Sequence, residues 1–597
     1  MTRCNITRAT RSLQFETRLR GPLVATALAL TVWIAGCGGG GGASTPTAVT
    51  PPDPRPVIAG CSLLYPVSGA APQPGLPDPL LAAQWHLRPA DSSTGEMGLG
   101  ATLAWRTSQG QGVRVAVIDG PVETLHADLS ANMPATGSFD YRLNSATAPL
   151  PCTAQDAHGT AVAGILAAAR SNGLAGAGVA PAATVVAYNA IEAGVRAELT
   201  RQRIADALTR SDSHHLYNLS WGSDDDGALH AADAAVIQAI DQGIRRGRGG
   251  LGTLYVFASG NGGCQAVDGR TDLDPLDPSR CRYRDMTGFD GHLNLPGAIT
   301  ACAVDRRGRL PLWGEEGENL LVCGLSSDSA GANAITTLAP GNTTRSDFGG
   351  ASAAAPMVSG VIALMLEVNP SLSWRDIRLI LAETARENQP LDPSWSPTAL
   401  HKWPPQSINA QPLRKRFSRR FGFGVVDAEA AVERARTLNA SVGTYDTLKT
   451  CEFSRTPSIG LPDFTDPDPN RPDGRSWRSD TVTVGNGNAS DNPCSISQVE
   501  LVEVIFSATH RYAADLEIEL VSPGGASRLA DARFCGGTSR RDQISDQDRC
   551  GSYTNWRFLS NRHIDEVPQG AWTLRVADAV LGETGTWQSW TLRLSGR

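Results

Sequence analysis

Between residues 113 and 259 the chain alternates short apolar runs with longer segments of helical pattern, and nothing else in it restricts the fold as strongly. VRVAVI (113–118), TVVAYNAI (184–191), HLYNLS (215–220) and GTLYVFAS (252–259) read as strands buried on both faces. Such strands belong to parallel sheets covered by helices. The covering helices are predicted over TAVAGILAAAR (160–170) and ALHAADAAVIQAIDQGIRR (228–246). Past Cys451 the pattern changes to short runs between turn residues, as in QVELVEVIFSA, DLEIELVSP and GTWQSWTLRLSG, the composition of a sandwich or jelly roll. The expected architecture is an α/β parallel-sheet domain over residues 78–440, then an all-β sandwich or jelly-roll domain over 451–597.

A length of 597 residues suits several units, and 62 Gly with 38 Pro make a loop-rich chain. The net charge of −7 gives no reason to expect nucleic acid, and no fixed-period repeat suggests a solenoid. Arg3, Arg8, Arg11, Arg18 and Arg20 precede a short apolar stretch at 21–36, the form of an export signal. That stretch ends in Ile34-Ala35-Gly36-Cys37, which resembles the lipobox of bacterial lipoproteins. The resemblance implies lipidation of Cys37 and attachment to the cell envelope, at the outer membrane, by a lipid anchor alone; plain secretion is the alternative. Residues 37–77 then read as a flexible Gly/Pro-rich linker. Of the 12 cysteines, all but Cys4 and Cys37 form an even set in an exported chain, so disulfides are expected. The pairs Cys264–Cys281, Cys302–Cys323, Cys451–Cys494, Cys535–Cys550 and Cys61–Cys152 are favoured, with connectivity left open.

Three segments carry candidate chemistry. In VAVIDGPVETLHADL, Asp119 closes a buried strand, where α/β sheets place functional groups. In DAHGTAVAGILAAA, His158 opens a helix and Gly159 permits close approach. In GGASAAAPMVSGVIALMLEVNP, Ser352 starts a long apolar helix among small neighbours. Each alone has an ordinary explanation: a turn Asp, a capping His, an N-cap Ser. An N-cap does not account for Pro356. The order Asp, His, Ser, spaced 39 and then 194 positions apart, is the subtilisin order.

The segments resemble the subtilase patterns, with IDGPV for IDTGV, HGTAVAG intact and GASAAAP for GTSMAAP. The resemblance implies Ser352 as nucleophile, His158 as general base and Asp119 as its orienting carboxylate. It implies Asn261, in FASGNGG, as oxyanion donor, and Ser220, Trp221 and Gly222 as the strand that pairs with substrate backbone. QWHL, SWGSDDDG, GRGGLGTLYVFASGNGG and LEVNPSLSWRD resemble the kexin and furin convertases, and the C-terminal strands resemble their P-domain. That implies cleavage of protein or peptide substrates after basic residues, with Asp225 and Asp290 as pocket carboxylates. Asp206 is the nearest candidate for a second basic subsite. The resemblance also implies calcium as cofactor, held by Asp78, Asp128 and Asn172 with carbonyls near Ala169, Leu174 and Gly176, and by Asp225, Asp285 and Glu316.

Two features depart from the family. Residues 37–77 are too few for its folded prodomain, so a separate folding chaperone is an expected partner. The added loop 400–422, LHKWPPQSINAQPLRKRFSRRFG, reads as a solvated basic loop, with self-cleavage as the alternative. The rival functional readings are a broad-specificity exported subtilase and a catalytically silent lipoprotein that binds through its β domain.

Overall fold

Seven strands, all parallel, make the central sheet in the computed structural model of the chain. The structure describes residues 71–597 apart from 192–196, 211–212, 267–280, 406, 409–410, 466–472, 487–491 and 534–549. The signal segment and Cys37 lie outside the described residues.

The strands are β1 (Arg114–Asp119), β2 (Phe139–Asp140), β3 (Thr184–Asn189), β4 (Leu216–Leu219), β5 (Leu254–Ala258), β6 (Ala298–Val304) and β7 (Leu320–Leu325), in the spatial order β2-β3-β1-β4-β5-β6-β7. Their unbroken burial follows from the apolar runs that encode them. Helix α1 (His158–Ala167) and helix α3 (Ala351–Val368) pack within the core, while α2 (Ala234–Arg246) shows one apolar face. Helix α3 is long and apolar enough to cross a membrane, but its side chains are nearly all consumed by the core. Pro356 lies inside it. Lacking an N–H, Pro356 cannot make the helical bond to the carbonyl of Ser352 four residues back.

The remainder, from Lys449 on, is two five-stranded sheets, antiparallel except for the short pairing of Gly485 and Asn486 with Pro493 and Cys494. Trp572, Trp587 and Trp590 fill the space between. A disulfide joins Cys451 on one sheet to Cys494 on the other, and a second joins Cys302 to Cys323 on β6 and β7. Cys152, Cys264 and Cys550 are also disulfide-bonded, to partners outside the described side chains.

The two hydrophobic cores interlock. Leu501, Leu559 and Ile564 of the β unit join the core of the parallel sheet, while Met286 and Phe289 join the core of the β unit. Polar ties reinforce this contact. Arg375 makes a bidentate pair with Glu500 at 2.6 and 2.7 Å, and Asn561 donates to the carbonyls of Asn319 and Leu320.

The basic run in 400–422 is not the solvated loop its composition suggests. Lys415 is buried and donates to the Ala385 carbonyl. Arg416 pairs with Glu387, Arg420 with Asp392, and Arg419 reaches Asp531 of the β unit at 2.6 Å. Carboxylates from distant segments neutralise these cations, which a local reading of the loop could not reveal.

Candidate active site

Asp119 ends β1, Ser220 follows β4 directly, and Asn261 lies three residues past β5, so three neighbouring strands deliver them to one edge of the sheet. That is the carboxyl edge, where open α/β sheets bind ligands. His158, first residue of α1, joins them: its Nδ1 lies 2.7 Å from the Asp119 carboxylate. Gly159 makes the approach possible, because a Cβ there would stand 2.5 Å from the Gly120 carbonyl oxygen. Phe348 packs against the imidazole at 5.4 Å between ring centres. The charge of Asp119 raises the His158 pKa above its ordinary value, against burial and the nearby Arg345 guanidinium.

Ser352 is the second residue of α3, capped by Gly350 rather than serving as the cap itself. Gly350 has φ of 71°, and a Cβ there would come within 3.0 Å of the Asn261 side-chain oxygen. The Ser352 hydroxyl donates to the Ser220 carbonyl at 3.3 Å and makes no hydrogen bond to His158. In return the Ser220 hydroxyl donates at 3.1 Å to the Ser352 carbonyl, the acceptor that Pro356 leaves open. Beneath them Asn218 donates to the Ser220 hydroxyl and accepts from Ser359, all buried. Sequence reasoning did not single out Asn218 or Ser359; polar residues on an otherwise apolar strand and helix were the available signal.

The Asn261 side-chain oxygen accepts from the Ala351 N–H at 2.8 Å, which leaves its amide hydrogens directed elsewhere in the exposed cleft. Trp221 donates from its indole to the Ile118 carbonyl, so the residue after Ser220 is tied to the strand that bears Asp119.

Beside this group is a pocket of about 270 Å³, its open mouth included, lined among others by Gly222, Asp225, Phe289, Asp290 and Glu315. Asp290 accepts from the backbone N–H of Ser223 and from both the backbone and the imidazole of His292. Burial pushes its carboxyl up, but those hydrogen bonds outweigh burial and hold it below the usual carboxylate range. Asp290 is thus an ionised carboxylate at the pocket wall, with His292 beside it.

Three of the carboxylates that line the pocket, Asp225, Asp285 and Glu315, converge. Asp225 accepts from the Asn261 N–H, Glu315 from Gly262, and Asp285 from Gly227 and Met286. Burial pushes Asp285 up to about 7 and Glu315 well above its usual range, with repulsion from Asp225 adding to both. Glu316, expected in this set, instead faces Arg284, Arg419 and Arg420. The adjacent Glu315 lies with Asp225 and Asp285 instead. Of the other expected set, Asp78, Asp128 and Asn172 are neighbours: Asp78 accepts from the N–H groups of Ser171 and Asn172, and Asn172 donates to Asp128. Burial, with repulsion from Asp78 adding, raises Asp128 to about 7. Gly176 donates to Asp128, whose carbonyl accepts from Ala169. Asp206 is engaged by Tyr141 and Arg210 within the chain itself.

Residues 110–424 match the subtilase family, and residues 499–594 match the proprotein convertase P-domain. The dibasic-processing endoprotease of Schizosaccharomyces pombe is 33% identical over 530 residues, covering 87% of this chain and 66% of that protein. Kexin of Saccharomyces cerevisiae is 28% identical over 544 residues, 90% of this chain and 58% of that one. Neuroendocrine convertase 2 of Drosophila melanogaster is 30% identical over 537 residues, with coverage of 87% and 72%. The chain thus spans roughly three fifths to two thirds of the two yeast relatives. A solved serine protease of Aeromonas sobria, in complex with its chaperone, shares the fold at 21% identity and a TM-score of 0.69, covering 87% of this chain and 95% of its own. The chain belongs to the subtilase family and carries a proprotein convertase P-domain after its subtilase domain.

Proposed function

We propose that this chain is a serine endopeptidase in which Ser352 attacks the peptide carbonyl, His158 takes and returns the proton, and Asp119 holds the imidazole. The observation that carries this reading is the 2.7 Å bond between His158 and Asp119 at the strand edge that also bears Ser352 and Asn261. Asp119 fixes the proton on Nδ1, so Nε2 is left as the basic atom. The reading requires the Ser352 hydroxyl to turn from the Ser220 carbonyl toward Nε2, and such contacts often tighten only with substrate bound. The Asn261 amide and the Ser352 N–H would receive the oxyanion. A fluorophosphonate probe tests this: it should label the native protein and leave Ser352→Ala unlabelled. Absence of labelling in the native protein would favour a silent binding protein.

The pocket supports the reading of cleavage after Arg or paired basic residues. Asp290, held ionised, and Asp225 are the carboxylates that would receive the cation. Ser220, Trp221 and Gly222 would pair with the extended substrate backbone. Mapping of cleavage sites in a proteome digest tests the preference; uniform rates across residues would support a broad subtilase instead.

Calcium is the cation we propose for both acidic sets, on the chemistry of their donors. Asp225, Asp285 and Glu315 offer only oxygen donors and repel one another when ionised, which a hard divalent cation relieves. Asp78, Asp128 and Asn172, with backbone carbonyls near Ala169, Leu174 and Gly176, would make up the second. We assign residues 78–440 to the catalytic domain and 451–597 to the P-domain. Export, lipidation of Cys37 and a separate chaperone complete the proposal; the chaperone bound to the Aeromonas sobria protease supports the last.

A further inference from the structure

The P-domain contributes a buried cation to the back of the candidate specificity pocket. Arg533 is 2% exposed. Its Nε donates to the Gly227 carbonyl at 2.6 Å, its guanidinium lies 3.7 Å from the centre of the Phe289 ring, and its Nη1 reaches the Tyr553 hydroxyl at 3.2 Å. Gly227 closes the loop that carries Asp225, and Phe289 directly precedes Asp290. Phe289 lines the pocket yet belongs to the P-domain core, and Trp556 donates to the Gly288 carbonyl from the same side. One side chain thus clamps both pocket loops from outside the catalytic domain. A stacked guanidinium with a directed Nε–H fixes two surfaces at once, which neither lysine nor an apolar residue reproduces.

We propose that Arg533 is a positioning residue for substrate specificity: it sets the spacing of the loops bearing Asp225 and Asp290, and so the affinity for a basic side chain. This rests on the basic-specificity reading above. The main alternative, that Arg533 only joins the two domains, would lower the amount of folded enzyme without changing how each folded molecule binds its substrate.

The test compares full-length native protein, Arg533→Met and Phe289→Leu, with active sites counted by fluorophosphonate titration. Each is assayed on peptides with arginine or its uncharged isostere citrulline before the scissile bond, and with benzamidine as a pocket probe. For Arg533→Met, KM for the arginine peptide and Ki for benzamidine should rise together by about tenfold, or about 1.4 kcal/mol, with kcat per titrated site changing far less. Phe289→Leu should move both constants the same way. Unchanged KM and Ki per active site in Arg533→Met overturn the inference. Should Arg533→Met yield no folded enzyme, Phe289→Leu decides by the same criterion. A native enzyme that fails to distinguish arginine from citrulline overturns the basic-specificity reading, and this inference with it. A native enzyme that does distinguish them, beside variants with native constants, overturns this inference alone.

Discussion

Ser220 and Ser352 exchange two hydrogen bonds, hydroxyl to carbonyl in each direction, at 3.1 and 3.3 Å. One of them exists because Pro356 cannot donate to the Ser352 carbonyl within the helix. Substitution by Pro356→Ala returns an N–H that competes with Ser220 for that carbonyl. The protein should be no less stable in thermal denaturation while turnover falls. Turnover equal to native would show that the Ser220 bond does not position the nucleophile.

Asn261 anchors its oxygen on the Ala351 N–H and keeps its amide hydrogens for the cleft. Asn261→Ala should lower kcat by about 10²–10³ with KM little changed, on a scale set by subtilisin itself. A loss confined to KM would remove Asn261 from the oxyanion role.

In the proposed mechanism His158 must be neutral to accept the serine proton, and Asp119 raises its pKa. A raised pKa keeps the imidazole protonated to higher pH, so kcat/KM should fall as pH drops through a value above the ordinary histidine pKa near 6.5. Arg345 opposes the shift, so Arg345→Gln should move this acid limb to still higher pH. A limb that moves to lower pH in that variant would contradict the electrostatic assignment.

Calcium chelation should lower both melting temperature and activity. Glu315→Gln should weaken the calcium dependence of both, since it removes a carboxylate from the set with Asp225 and Asp285. Glu316→Gln should leave the calcium midpoint in place and lower stability at saturating calcium, because Arg284, Arg419 and Arg420 lose a counter-charge. The opposite pattern would restore Glu316 as the ligand.

Arg375 has a side chain only 1% exposed; besides donating to Thr444 and Thr447 it takes its counter-charge from Glu500 across the domain contact. Glu500→Ala should cost about 3–5 kcal/mol in urea denaturation, because it strands a buried charge. The double change Arg375→Met with Glu500→Met should recover most of that loss. A single variant near native stability would mean that Thr444 and Thr447 suffice to hold the guanidinium.

The residue pattern determined the parallel sheet and the all-β unit that follows it, because buried strands on a covered sheet leave unbroken apolar runs and turns leave Gly and Pro. Motif order also made Asp119, His158 and Ser352 legible as candidates, since each lies at or beside the end of an element whose pattern is local, and the family resemblance added Asn261. Tertiary structure alone decided which of Glu315 and Glu316 lies beside Asp225 and Asp285, the burial of Lys415 and pairing of its neighbouring arginines, and the placement of Phe289 in the P-domain core. Periodicity reports which face a residue takes within its own element. Which charge it meets from a segment a hundred or more residues away depends on how the elements pack, and the two interlocked cores fix that packing here.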